Sequence, residues 1–465
     1  MRARVLAHAL LLLVMAALAP SCASVVPPDD AFASARCSVI LDDNVAGAPT
    51  YDIGVIVERT DPNGKLDFDI GYDLRAMRLA LQELNQNHDI ANKRLRLRVC
   101  DTRADWSTGG GQVTRDLANW LIDTAHVQVL ISDASADTET ISGIAKARGI
   151  LLMAMSATSE GLTYLADNDL VWRVAPSDLY QGVVLADLVS KTVDPGAKVA
   201  VFAMQSNYGA GLADALQRQL GSRAAIHTFA LDGTGLDTAI QAAALEAPQA
   251  LIFVANSPLV ARLLNARAVT PALKDVPVFL ADGACDSDLA TQDLKPGVNL
   301  DKQICTRPGQ PPTEYYTQFR ERYKALFKDD PVQSSYTQFA YDAVYCVALA
   351  HAWATGSGGT GKTDGKSLAQ GLMHLSKGEV HPFGPSEVPK MVGALSKGQD
   401  IDVQGASGAL DFDPTTGEAP SDYEVWTLGA KGELLTRKYV QVHSLGPDVG
   451  GKPTYEVLPV DVTPP

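Results

Sequence analysis

The chain has 465 residues, 46% of them hydrophobic and 20% charged, with 54 acidic side chains against 39 basic. This is ordinary globular composition, which excludes a disordered, collagen-like or coiled-coil chain, and the length predicts roughly two to three domains, each able to bury a core. A formal charge of −15 is the reverse of the basic footprint that nucleic acid requires, so no nucleic-acid partner is expected.

Arg2 and Arg4 precede an apolar stretch from Val5 to Ala19, the layout of an export signal rather than of a membrane span. Residues 1–21 are therefore read as a signal peptide. Leu18-Ala19-Pro20-Ser21-Cys22 resembles a bacterial lipobox, with Ala19 where leucine is usual. The resemblance implies lipidation of Cys22, a place in the periplasm or cell envelope, and contact with a membrane through a lipid anchor. The alternative is a plain secretory signal cut near Ala23. Residues 22–49 read as a tether.

Five cysteines follow Cys22: Cys37, Cys100, Cys285, Cys305 and Cys346. None has CxxC spacing, which removes a zinc ribbon or thioredoxin site. Cys346 lies in the apolar helical run Tyr341 to Leu349 and reads as a buried thiol. The other four are expected to bridge as Cys37–Cys100 and Cys285–Cys305, one of three connectivities that four cysteines allow.

Taken in order, Tyr51 to Val57 is a β-branched strand, and Leu74, Met77, Leu81 and Leu84 recur at helical spacing. Leu95 to Val99 reads as strand, Gln112 to Thr124 as helix, Val127 to Ile131 as strand, Thr138 to Arg148 as helix and Gly149 to Met153 as buried strand. The alternation resumes with strands at 198–202, 250–254 and 276–280 and a helix at 211–220. Strands alternating with helices over more than 200 residues predict an α/β fold of parallel sheets wound by βαβ units. Residues 356–366 read as loop, 378–408 show little periodicity, 423–428 and 434–442 read as strands, and 446–465 as an extended tail.

Parallel sheets gather ligands beyond the carboxyl ends of their strands. Four such loops carry polar groups: Ser132 to Thr138, Met155 to Ser159, Ser206 to Gly209, and Ala281 to Gly283. Hydroxyls and amides at helix starts suit an anionic group, and a lone acid such as Asp282 suits an ammonium, so together they suit a zwitterion. The simpler role for Ser135, Ser156, Thr158 and Asp282 is helix capping.

At these residues the chain resembles the type I periplasmic binding proteins, in particular the leucine/isoleucine/valine-binding branch that also holds amide and urea receptors. The resemblance spans about Tyr51 to Leu428. It is carried by Gly149-Ile150-Leu151-Leu152 with Ser156-Ala157-Thr158-Ser159, by Asn207-Tyr208-Gly209-Ala210-Gly211, by Tyr341-Asp342-Ala343-Val344 and by Gly405 to Asp413. It implies a two-lobed fold with the ligand between the lobes: 50–175 with 305–422 as lobe 1, and 176–304 with 423–445 as lobe 2. It further implies that Ser135 holds the ligand α-carboxylate and that Thr158 contacts both ends of an amino acid beside Ser156 and Ala157. Tyr208 would close over the ligand, and Asp282 would take the α-ammonium. Asn256 stands where the family commonly has an aromatic wall, and the lid segment around Phe68, Asp67-Phe68-Asp69, is unusually acidic. Both departures favour a polar or basic ligand side chain over an aliphatic one. The function implied is capture of an amino acid or small amide for an ABC transporter permease, with a sensory ectodomain or an exported hydrolase as alternatives.

Gly356 to Thr363 fits GxxxxGK[ST] letter for letter. A P-loop, however, follows a strand, and the residues before this one read as helix. With no HExxH or GxSxG pattern, neither catalysis nor a cofactor or metal is expected.

Overall fold

A computed structural model describes residues 30–460 apart from 43–48, 62, 88–89, 104, 106–109, 310–311, 430–431 and 448–452. The signal peptide at 1–21 and Cys22 lie outside the described residues. Among the described residues no helix is long and apolar enough to cross a membrane.

The first sheet takes β1 (Val39–Leu41), β2 (Thr50–Val57), β3 (Arg94–Asp101), β4 (Val129–Ser132), β5 (Leu151–Ala154) and β6 (Val171–Arg173) in the order β1-β3-β2-β4-β5-β6. Its pairings are parallel except that of β1 with β3. Both faces of β4 and β5 are buried, which is why these strands are unbroken apolar runs rather than alternating ones. On one face helices Phe68–Asn87 and Thr337–Thr355 pack into a single core with β2 and β5, and residues 337–354 of the second helix are all buried.

The second sheet takes β7 (Val199–Met204), β8 (Ala224–Phe229), β9 (Ala250–Val254), β10 (Val278–Leu280) and β11 (Ile304–Pro308), all parallel. Beyond a two-stranded side sheet, β12 (Glu379–Pro382) with β13 (Ile401–Gln404), the chain returns as β14 (Tyr423–Leu428), β15 (Leu434–Pro447) and β16 (Pro453–Val460). These three extend the second sheet antiparallel from β11. The architecture is thus α/β, with two separate sheets flanked by helices.

Several expectations need correction. The tether is shorter than 22–49, because Asp30–Arg36 is a helix, Cys37 is bridged to Cys100 and β1 pairs with β3. The chain leaves the second sheet after Pro308 rather than at 305, since β11 pairs with both β10 and β14. Residues 378–408 hold β12, β13 and helix Val388–Leu395, whose Met391 and Leu395 enter the core of the first sheet. The tail from 446 is no loose extension: β16 pairs along β15, and Tyr455 packs edge-on against Tyr180.

The expected Cys285–Cys305 bridge is absent, and both thiols are free and buried, as is Cys346. Cys285 Sγ donates to the Leu280 carbonyl at 3.4 Å. Burial, with Cys305 beside it, pushes the Cys285 thiol well above its ordinary pKa, so the thiolate that begins disulfide exchange is disfavoured. The Gly356–Thr363 segment follows helix Thr337–Thr355 directly, without the strand a phosphate loop requires.

Candidate functional site

A cavity of about 610 Å³ lies between the carboxyl ends of the strands of the two sheets. From the first sheet it receives Glu58 and Thr60 after β2, Phe68 and Asp69 at the start of helix Phe68–Asn87, and Ala134 to Ala136 after β4. The second sheet supplies Ser206 and Tyr208 after β7, Asn256 after β9, and Gly283 and Asp286 after β10. Its volume falls in the range that small-molecule sites usually occupy.

Four of the eight expected ligand residues line this cavity: Ser135, Tyr208, Asn256 and Phe68. Ser135 opens helix Ser135–Arg148, whose N-cap Ala134 has no side chain to satisfy the first turn. The exposed amide dipoles there suit an anion. The Ser135 hydroxyl accepts from the Ser159 amide at 3.1 Å, which ties the loop after β4 to the loop after β5. Asn256 is also a helix cap, its side chain accepting from Leu259 N at 3.2 Å. Tyr208 sits at the second position of helix Asn207–Leu220. Gly209 lets that helix approach β7 closely, because a Cβ there would lie 1.9 Å from the Met204 carbonyl oxygen.

The other four, Ser156, Ala157, Thr158 and Asp282, are not among the residues that line the cavity. The Tyr208 hydroxyl donates to Asp282 Oδ1 at 2.7 Å and accepts from Gly283 N at 3.2 Å. The Tyr336 hydroxyl donates to the other oxygen, Oδ2. Asp282 is therefore a held carboxylate reached from the cavity past Tyr208. Burial raises its pKa, opposed by the two tyrosine hydrogen bonds.

Beside it stands Asp178, which sequence reasoning missed. It is fully buried, neither carboxylate oxygen makes a well-formed hydrogen bond, and the Thr158 hydroxyl is its side-chain neighbour. Burial and the charge of Asp282 push it well above the ordinary carboxylate range. Its backbone N–H donates to the Thr158 carbonyl at 2.8 Å, so it adjoins the residue expected to contact both ends of a ligand. Two buried acids at one spot demand a proton or a cation.

The opposite wall is acidic as well, with Glu58, Asp67, Asp69, Asp286 and Asp288 lining the cavity. Among the described lining residues Lys65 is the one cation. Asp69 is pushed up to about 7, chiefly by burial and then by Asp67. Asp133, just behind Ala134, is pushed up to about 8 by burial and by Asp137. Among the described residues no group of three or more His, Cys, Asp or Glu is placed to hold a metal ion.

The fold is shared with solved structures of low sequence identity. The leucine-binding protein LivK of Thermotoga maritima matches with a TM-score of 0.66 at 19% identity, over 84% of this chain and 99% of that one. The branched-chain amino acid substrate-binding protein LivJ of Streptococcus pneumoniae, solved with isoleucine, gives 0.62 at 18%, over 88% and 100%. A solute-binding protein of an ABC transporter from Rhodopseudomonas palustris, solved with 3,4-dihydroxybenzoic acid, gives 0.63 at 15%, over 84% and 97%. No curated protein sequence matches the chain. The sequence profile described as periplasmic binding protein matches residues 50–433, which take in both sheets from β2 to β14 and every lining residue named above. The chain belongs to the periplasmic binding protein family, a family of solute-binding proteins that work outside the cytoplasm.

Proposed function

We propose that the protein captures an amino acid or small amide-like solute and presents it to the permease of an ABC importer, held at the cell envelope by an acylated Cys22. The observation that carries this reading is the pairing of opposite chemistries at one cleft. An uncapped helix start at Ser135 faces it from the first sheet, and the buried carboxylates of Asp178 and Asp282 stand behind Tyr208. A zwitterion fits this arrangement, its carboxylate on the amides of residues 135 and 136 and its ammonium on the two aspartates. Tyr208 would yield one Asp282 oxygen to the ammonium as the ligand enters. The amino acid-binding neighbours support the same class, while the dihydroxybenzoate complex belongs to a protein of the same fold with a different ligand.

Thermal denaturation of the purified chain with each amino acid and with small amides tests the reading. At least one should raise the melting temperature, by about 2.7 kcal/mol of stabilisation at a hundredfold excess over its Kd. If none does, the ligand class is wrong. Mass spectrometry of solute carried through purification would name the compound, and the intact mass of envelope-extracted protein would decide the acylation of Cys22.

A further inference from the structure

Across the cavity from Ser135 two carboxyl groups meet from different halves of the molecule. Asp69 comes from the start of helix Phe68–Asn87 against the first sheet, and Asp286 from the turn after β10 in the second. Their carboxyl groups are hydrogen-bonded to one another, and the half-buried Asp69 also meets the Ser334 hydroxyl. Asp286 is 2% exposed and rigidly placed, its Oδ1 accepting from Ser257 Oγ at 3.2 Å and from Asp288 N at 2.8 Å. Asp69 Oδ1 has no partner. On the Ser135 side, just behind Ala134, Asp133 is 4% exposed; its Oδ2 accepts from Glu58 N at 2.9 Å and its Oδ1 has no partner. Asp73, one helical turn beyond Asp69 and 1% exposed, likewise has an unpartnered Oδ1.

Buried carboxylates without partners are costly, and two that touch across a closing cleft repel unless a proton or a cation lies between them. In the ligand-free protein a shared proton fills that place between Asp69 and Asp286, and a cationic group entering the cleft would take it over. We infer that the ligand carries a second positive group, an ammonium or guanidinium on its side chain, which docks between Asp69 and Asp286 and draws the two halves together. This deepens the amino acid reading and rests on it: the α-carboxylate and α-ammonium occupy the Ser135 and Asp178/Asp282 end, and the basic side chain reaches the acidic wall. Closure then depends on ligand charge, since a neutral side chain leaves the facing carboxylates only their shared proton.

Isothermal titration of the purified chain at pH 8 with two isosteric pairs tests this: L-arginine against L-citrulline, and L-lysine against L-2-aminoheptanoic acid. At least one cationic member should bind tenfold or more tightly than its neutral isostere. Asp69→Asn and Asp286→Asn should each cut that preference below threefold, and Asp69→Asn carries the test alone if the buried Asp286 variant fails to fold. Equal affinity within both pairs overturns the inference and leaves an amino acid receptor standing. A cationic preference that survives in a folded Asp69→Asn protein overturns the assignment to this pair. If none of the four probes binds, this inference falls, and the amino acid reading stands or falls on the full panel of amino acids and amides.

Discussion

Asp178 shows how a binding site is stored as instability. A fully buried carboxylate whose oxygens make no well-formed hydrogen bond stands beside a second acid, and burial pushes it far toward the protonated form against the opposing pull of Thr158 and Arg173. Removing its charge should relieve the ligand-free protein while depriving the ligand ammonium of its partner. Asp178→Asn is therefore expected to raise the melting temperature without ligand and to weaken amino acid binding by roughly 30-fold or more, from a contact worth about 2–5 kcal/mol at 1.4 kcal/mol per decade. Calorimetry and thermal denaturation on the same variant read both quantities, and an unchanged Kd would place the ammonium elsewhere. Asp282 was legible in sequence because it ends a strand in a loop. Asp178 was not: it follows Ser177, whose side chain caps helix Asp178–Thr192, and an acid in a first helical turn already has a reason to be there. Only its packing against Thr158 and Asp282 shows the second role.

At the scale of elements, the Cys37–Cys100 bridge converts what reads as a tether into part of the first sheet. It fixes helix Asp30–Arg36 and β1 to β3 across a sequence separation of 63 residues. Closing a loop of that length should contribute about 4 kcal/mol by restricting the unfolded chain. Chemical denaturation of Cys37→Ala with Cys100→Ala should show a loss of that order. A loss below about 1 kcal/mol would mean that β1 holds through its pairing with β3 alone. The βαβ strands were readable because parallel strands buried on both faces must be continuous apolar runs, as Ala250–Val254 and Leu151–Ala154 are. Residues 378–408 were not, since β12 and β13 are four residues each and helix Val388–Leu395 only eight. Elements that short are set by the core they cover rather than by local pattern. The acidic character of the lid was plain in Asp67-Phe68-Asp69, but its partner Asp286 lies more than 200 residues away, and only the fold joins them.

For the molecule as a whole, the two sheets are linked by buried charge and by contacts across the cleft mouth. Arg173 at the end of β6 pairs with Glu418 on the segment leading to β14, while Arg307 on β11 pairs with Glu424 on β14 at 2.8 Å within the second sheet. Asn207 donates to Glu139, and Arg218 pairs with Glu160, so elements of the two sheets touch directly. Against them act the cleft acids, and their titration gives the sign of the pH dependence. Asp69 and Asp133 have native values of about 7 and about 8 against an ordinary 3.8, so the native state holds protons that the unfolded chain has released. Stability from these groups is fully present below about pH 4 and is lost as pH rises through 7 and 8. His351, held down to about 4 by burial, has the opposite sign, but its contribution is complete above its ordinary 6.5. The window from pH 6.5 to 8 therefore reads the buried acids, Asp342 at about 7 among them, and the share of the cleft is the part that Asp69→Asn removes. In it the melting temperature of the ligand-free protein should fall, and Asp69→Asn should flatten the decline. A bound cation should flatten it too, by holding the carboxylates ionised. A ligand-free profile that is level or rising between pH 6.5 and 8 would show that the cleft acids are already ionised and compensated, and closure would then need no positive ligand.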